Sequence, residues 1–292
     1  MTTSVYSRVM AGVPIGELIR RWRVRRHRSQ LELSIDVGVS TRHLSFVETG
    51  RSRPSPELVL AIAQYLEVPL RERNSLLLAA GYAPRFSHVT LDDPAMATVL
   101  TSVQRMLDAH DPHPGVVLDR QWNVVLANRA ALLLTVGIPA HLLGPPMNVY
   151  RLSLHPDGLA ARTTNFRDWA GVLIGQLRRS IVLTGDPSLE ALHIEVMAYP
   201  GVAQISEIIE ARLGDEPPLL IPFRFATPLG EVSMFTTLTT FGTPRDVTLE
   251  ELTIELFFPA DDESADKVRE IGRLSRQSGE VAGDVVATAD VA

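Results

Sequence analysis

Thr41, Arg42 and Ser45 lie within five residues of one another and are of types that hydrogen-bond to nucleic acid. An arginine reaches O6 and N7 of guanine through two parallel hydrogen bonds, and a threonine or serine hydroxyl can bond a base edge or a phosphate. Arg51 and Arg53 follow in a Gly-Arg-Ser-Arg-Pro stretch. Guanidinium groups there suit phosphate contacts, which fix register without reading sequence. For this chemistry Thr41, Arg42 and Ser45 must share one exposed helix face, with Leu44 and Val47 turned inward.

The flanking residues supply that helix and its support. Ser40 caps a helix over residues 41–49 that ends at Gly50. Before it, Ser29 and Glu32 have the spacing of a capping box, and Gly38 suits the left-handed turn closing a short helix. Leu31, Leu33, Ile35 and Val37 alternate as a strand would, but the cap and Gly38 override that period. An amphipathic helix over 15–26 precedes this pair, with Ile15, Leu18, Ile19 and Trp22 on one face. A fourth helix begins at Ser55, Pro56 and Glu57, and a fifth runs from Pro69 to Gly81. In such a pair the second helix enters the major groove of duplex DNA, where its N-terminal side chains reach base edges.

Residues 15–82 resemble the helix-turn-helix domains of the XRE family, the lambda-repressor-like five-helix fold. The resemblance rests on Ser29-Gln30, Gly38-Val39-Ser40, Leu44-Ser45 and Glu48-Thr49-Gly50-Arg51 with Pro54. Ser34 stands where alanine is usual and is equally small. The resemblance implies that Gln30 touches phosphate and braces the recognition helix, and that Thr41, Arg42 and Ser45 meet DNA. Together with Ser40, Arg51 and Arg53 these form the expected DNA-binding set.

Charge agrees with this division. Residues 1–80 hold 12 arginines against 7 acidic residues, although the whole chain of 292 residues carries a formal charge of −6. Lys267 is the only lysine. Cysteine is absent, which excludes disulfides, thiolate metal sites and thiol nucleophiles. No run of about 18 apolar residues suggests a membrane span. With no signal-peptide core at the N-terminus, a bacterial cytoplasmic location is expected.

Residues 84–94 break the helical pattern and are read as a linker between a domain over 1–83 and a second over 95–260. The second begins with a helix over 95–109, then a hairpin, 116–119 and 122–127, followed by a helix capped by Asn128. Long helices are expected over 165–184 and 187–199, with Trp169, Leu173, Leu177 and Ile181 on one face of the first. Strands over 219–227, 231–241 and 251–258 complete a five-stranded antiparallel sheet with helices on one side, an α+β arrangement. In the last strand, Leu252, Ile254, Leu256 and Phe258 form the expected buried face. Residues 261–292 read as an acidic, partly disordered tail, weakly helical near 267–274.

The order strand, turn, strand, Asn-capped helix resembles the start of a PAS domain. Residues 94–260 more specifically resemble the MmyB-like ligand-binding domain found behind XRE modules. The segments that carry this are Asn148-Val149-Tyr150-Arg151-Leu152 with His155-Pro156-Asp157-Gly158, Phe166-Arg167-Asp168-Trp169, Thr239-Thr240-Phe241-Gly242-Thr243-Pro244 and Glu255-Leu256-Phe257-Phe258-Pro259. The resemblance implies a multidomain chain: an all-α DNA-binding domain, then a PAS-like sensor enclosing an apolar cavity. Fatty-acid-like ligands have been proposed across that family.

Candidate lining residues are Trp122, Leu173, Leu177, Phe223, Phe225, Met234 and Leu238. A carboxylate-tailed ligand would need a cation or neutral donors, for which Arg151, Arg178, Arg224, Asn128 and Asn148 are candidates. No catalytic or metal-binding pattern appears: there is no G-x-S-x-G elbow, H-E-x-x-H or phosphate loop, and His155-Pro156-Asp157 reads as a turn. The expectation is a non-enzymatic, homodimeric transcription regulator that binds double-stranded DNA and a small apolar ligand, requires no cofactor and involves no membrane. A constitutive DNA-binding protein whose second domain only dimerises is the first alternative, and a DNA-tethered lipid- or ester-processing enzyme the second.

Overall fold

The computed structural model describes residues 13–205 and 219–278. These fall into two compact units. One comprises residues up to Leu91 together with Gly242–Glu250, and the other comprises the remainder.

The first unit contains α1 (Ile15–Arg25), α2 (Gln30–Asp36), α3 (Thr41–Glu48), α4 (Pro56–Tyr65) and α5 (Leu70–Ala79). The expected caps form. Ser29 and Glu32 make a reciprocal capping box, and the Ser40 and Ser55 side chains accept from the backbone N–H groups of His43 and Leu58. Such caps each contribute about 1 kcal/mol. The strand-like alternation at 31–37 yields to the helical period, so Leu33 is buried while Leu31 and Ile35 face solvent. Leu18, Trp22, Leu33, Leu44, Val47, Ile62 and Leu77 form one core. Gly16 is required where α1 crosses α3, because a Cβ there would collide with the carbonyls of Val47 and Glu48.

Residues 242–250, which the sequence reading kept within the second domain, join this unit instead. Asp246 accepts from the N–H of Val89 at 3.0 Å, and Glu250 accepts from the N–H of Leu70 at 2.7 Å. The expected linker is also held locally: Oδ1 of Asn74 accepts from the N–H groups of Arg85 and Phe86.

The second unit runs α6 (Pro94–Ala109), β1 (Gly115–Leu118), β2 (Val124–Ala127), α7 (Arg129–Leu134), α8 (Val149–Leu154), α9 (Phe166–Thr184), α10 (Pro187–Met197), β3 (Phe223–Thr227), β4 (Gly230–Thr240), β5 (Thr253–Pro259) and α11 (Asp262–Ser278). The five strands form one antiparallel sheet in the order β2-β1-β5-β4-β3. The last strand therefore lies at the centre, against the first.

Both faces of this sheet are covered, not one. Val103 and Leu107 of α6 pack against Val117, Leu252 and Ile254 on one face. The opposite face carries Leu118, Phe223, Phe225, Val232 and Met234 and meets α8, α9 and α10. Because successive strand residues alternate between faces, Ile254 and Leu256 point to α6 and Glu255 and Phe257 to the helical layer. The expected buried face of β5 was thus only one of two.

Two further expectations are corrected. β3 begins at Phe223, and Leu219 and Leu220 before it are exposed. Residues from 262 form a full helix whose Val268 and Ile271 join the core under the sheet, in place of a tail helical only near 267–274. The remainder of the expected tail, 279–292, lies outside the described residues.

Candidate nucleic-acid interface and ligand cavities

α3 is positioned from behind by a carboxylate. Glu48, whose side chain is 2% exposed, receives both Nε and Nη2 of Arg23 from α1, at 2.7 and 2.9 Å. It also accepts from Nε2 of Gln30 on α2 at 2.7 Å. One buried acceptor pair thus ties three helices, and its hydrogen bonds raise the pKa of Arg23. Gln30 braces α3 through Glu48, a partner that sequence reasoning did not single out.

The outer face of α3 presents Arg42, exposed, beside half-buried Thr41 and Ser45. Thr41 also supports the turn: its Oγ1 lies 3.0 Å from Oγ of Ser34, which itself donates to the carbonyl of Leu31. Ser40 is engaged as the cap. The guanidinium groups of Arg42 and Arg51 lie 5.3 and 5.8 Å from the ring of Phe46. Neither pairs with a carboxylate among the described residues, so both charges face outward from one aromatic platform.

Arg53, exposed and expected to contact phosphate, also has a structural role. Its Nε donates to the carbonyl of Ala80 at 2.8 Å and its Nη2 to that of Gly81 at 3.2 Å, while the guanidinium stacks 4.7 Å from the ring of Tyr82. It closes the C-terminus of α5, where carbonyls need donors.

In the second unit, an open apolar groove of about 710 Å³ runs between α7, the β3–β4 hairpin and α11. Leu133, Phe225, Val232, Met234 and Ile271 line it, and Arg162 is the only charged side chain in its lining among the described residues. Arg162 donates to the carbonyl of Leu134 at 2.5 Å and lies 4.9 Å from the ring of Phe225. No carboxylate pairs with it among the described residues, and burial lowers its pKa.

A smaller cavity of about 70 Å³ lies between the sheet and α7, α8 and α9. Trp122, Leu173 and Phe223 line it as expected, with Tyr150, Trp169, Glu255 and Phe257. Trp122 is held inward at φ +65° by the preceding turn, in which Oδ1 of Asp119 accepts from the N–H groups of Gln121 and Asn123 at 2.8 Å. A bulky residue in the left-handed region is strained, and this turn over-determines it. The indole meets Tyr150 edge to face at 5.3 Å. Burial pushes the Glu255 carboxyl up to about 7, against a hydrogen bond from Thr236. Burial, then the charge of Glu255, holds the Tyr150 phenol well above its ordinary pKa.

The other expected ligand residues are structural. Oδ1 of Asn128 accepts from Gly115 and Ala131, and its Nδ2 donates to Leu107 and His113, which satisfies the amide completely. Asn148 likewise caps α8 while donating to Gln121 and Asn123. Arg151 forms a two-pronged pair with Glu195 at 2.7 and 2.8 Å, and Arg178 donates to His193 at 3.1 Å. Leu177 is fully buried in the core outside both cavities, and Arg224 is exposed. Met234 lines the groove. Leu238 shares the Glu255 side of the sheet, directly opposite it in register, but is 46% exposed and lines neither cavity.

Arg162, Tyr150 and Glu255 were missed. Arg162 looks like a surface residue, and Glu255 looks outward-facing until both faces of β5 are known to be covered. The turn reading of His155-Pro156-Asp157 stands, with the N–H of Asp157 donating to Nδ1 of His155 at 3.1 Å. The fold also brings His141 beside these two, with the three ligand atoms within 4.8 Å of one another, a proximity that spacing did not reveal.

A braced recognition helix and a cavity-bearing α+β unit define a DNA-binding protein with a ligand-binding domain. Residues 19–73 match the helix-turn-helix family, and residues 99–271 match the MmyB-like transcription regulator ligand binding domain. The second match covers more than half of the chain, which therefore belongs to that family of transcription regulators. No curated protein matches it. No helix among the described residues is long and apolar enough to cross a membrane.

Proposed function

We propose that this chain is a sequence-specific transcription regulator that reads DNA with the outer face of α3 and responds to an elongated apolar acid, such as a fatty acid, in the 710 Å³ groove. Arg42 reads a base edge, and Arg51 contacts phosphate. The observation that carries the ligand reading is Arg162, a guanidinium without an ionic partner among the described residues beside a largely apolar groove. A carboxylate placed there gains a charge-assisted, two-pronged contact while its chain lies on Phe225, Val232 and Ile271.

The protein works as a homodimer in this reading, because one recognition helix spans only a half-site. The ligand shifts the population between states of different DNA affinity, by as much as it prefers one state over the other. Mass spectrometry of small molecules released from the purified full-length chain tests the reading. A long-chain acid that is lost in Arg162→Met supports it. Absence of any released acid, together with DNA binding indifferent to added acid, favours a constitutive DNA-binding protein instead.

A further inference from the structure

The smaller cavity holds polar groups that neither the DNA contact nor the Arg162 groove uses. Tyr150 is fully buried, and its hydroxyl has no hydrogen-bond partner among the described residues. Leaving a buried hydroxyl unpaired is destabilising, so the fold retains a group it does not need for its own stability. Glu255 enters the same cavity from the central strand β5. Among the described residues no lysine, arginine or histidine lines that cavity, the charge of Arg179 on α9 acts on Tyr150 from outside the lining, and Thr236 is the hydrogen-bond partner of the carboxyl. Aliphatic side chains make most of the wall, and Trp122, Trp169, Phe223 and Phe257 add aromatic surface to it; Gln176, Ser153 and Thr135 are its other polar residues.

These groups select among ligand chemistries. A carboxylate ligand would bring a second negative charge into a dry site beside Glu255 and find no cation there. An alcohol or alkane could fill the space but would leave the acid without a counter-charge. A protonated amine supplies what is missing: a cation for Glu255, N–H donors for the Tyr150 oxygen, and a charge that aromatic faces attract. A volume of about 70 Å³ admits a short chain and excludes a long one.

We propose that this cavity is a binding site for a small organic amine, whose ammonium group pairs with Glu255, bonds Tyr150 and lies against the indoles of Trp122 and Trp169. It is separate from the Arg162 groove and has the opposite charge preference. Burial keeps the empty acid partly protonated at neutral pH, and the arriving cation stabilises its ionised form.

Calorimetric titration of the full-length chain with n-butylamine, n-butanol and butyrate tests this. n-Butylamine is expected to bind about tenfold or more tightly than n-butanol, with butyrate weakest. Glu255→Gln matches the shape of the protonated acid, so it should fold, abolish the amine preference and leave n-butanol unchanged. Tyr150→Phe should raise the melting temperature while weakening n-butylamine severalfold. Absence of n-butylamine binding, equal binding of amine and alcohol, tighter binding of butyrate, or a preference that survives Glu255→Gln would each overturn the proposal. A long-chain acid titrated into the same preparations and into Arg162→Met keeps the two sites apart. Loss of either ligand alone refutes only its own site.

Discussion

Nε2 of Gln30 donates to Oε2 of Glu48 across 2.7 Å, and the same carboxylate holds the guanidinium of Arg23 at 2.7 and 2.9 Å. The helix that presents Arg42 is therefore fixed by a charge at its far end, 2% exposed, and not by apolar packing alone. Removing one partner of a buried pair leaves the other unpaired in a poorly solvated site. Glu48→Ala should lower the stability of the unit by about 3 kcal/mol or more, and Gln30→Ala by about 1 kcal/mol. Urea denaturation of each variant checks the ratio. Equal, small effects would contradict the bracing role of Glu48.

Arg42 and Arg51 flank the same ring but should differ in what they read. Arg42→Ala is expected to cost about 1–3 kcal/mol of binding and to relax preference at one base position. Arg51→Ala should weaken all duplexes alike and reduce the salt slope by about one unit. Arg53→Ala should in addition lower stability, because its Nε and Nη2 hold the carbonyls of Ala80 and Gly81. Selection from a randomised duplex pool, repeated at several salt concentrations, separates the three.

Glu255 makes stability depend on pH. Its carboxyl releases its proton near 4.5 in the unfolded chain but only at about 7 in the folded one. Tyr150 from α8 lines the cavity beside it and Thr236 from β4 bonds its carboxyl, both neutral across that range, while Arg179 of α9, whose charge acts on Tyr150, stays cationic throughout. Below about 4.5 both states are protonated, and the contribution of this group is complete. As pH rises toward 7 the unfolded state alone loses its proton, so stability falls by roughly 3 kcal/mol and then levels off. Denaturation midpoints recorded between pH 4 and 8 should show this decline in the wild type and lack it in Glu255→Gln.

Asn128→Ala should destabilise the second unit by about 2–3 kcal/mol, since it strands the N–H of Gly115 and the carbonyls of Leu107 and His113. Ligand affinity per folded molecule should not change. A selective loss of ligand in a normally stable variant would restore Asn128 to the binding site.

The first unit was largely legible because its signals are local. Ser29, Glu32, Gly38, Ser40 and Ser55 act within a turn of their own helices, and the structure shows each doing so. The brace was not legible, since Arg23 and Glu48 meet across 25 residues with no periodic signature. The strands of the second unit were readable, but their burial was not. Alternation at 252–258 reveals two faces and cannot say that α6 covers one and the cavity the other. Asn128 and Asn148 were correctly read as residues with unusual bonding capacity. Their partners are backbone groups of neighbouring helices, strands and turns, with the Asn123 side chain as one more, and these use the bonding capacity of both amides. Arg162 and Glu255 became informative only because neither has an ionic partner among the described residues.

The most direct test of the central claim is the affinity of the full-length chain for its selected duplex, measured by fluorescence anisotropy with and without a saturating long-chain fatty acid. A severalfold change in dissociation constant is predicted, abolished in Arg162→Met. Superimposable isotherms for the wild type, with the acid shown to be bound, would contradict it.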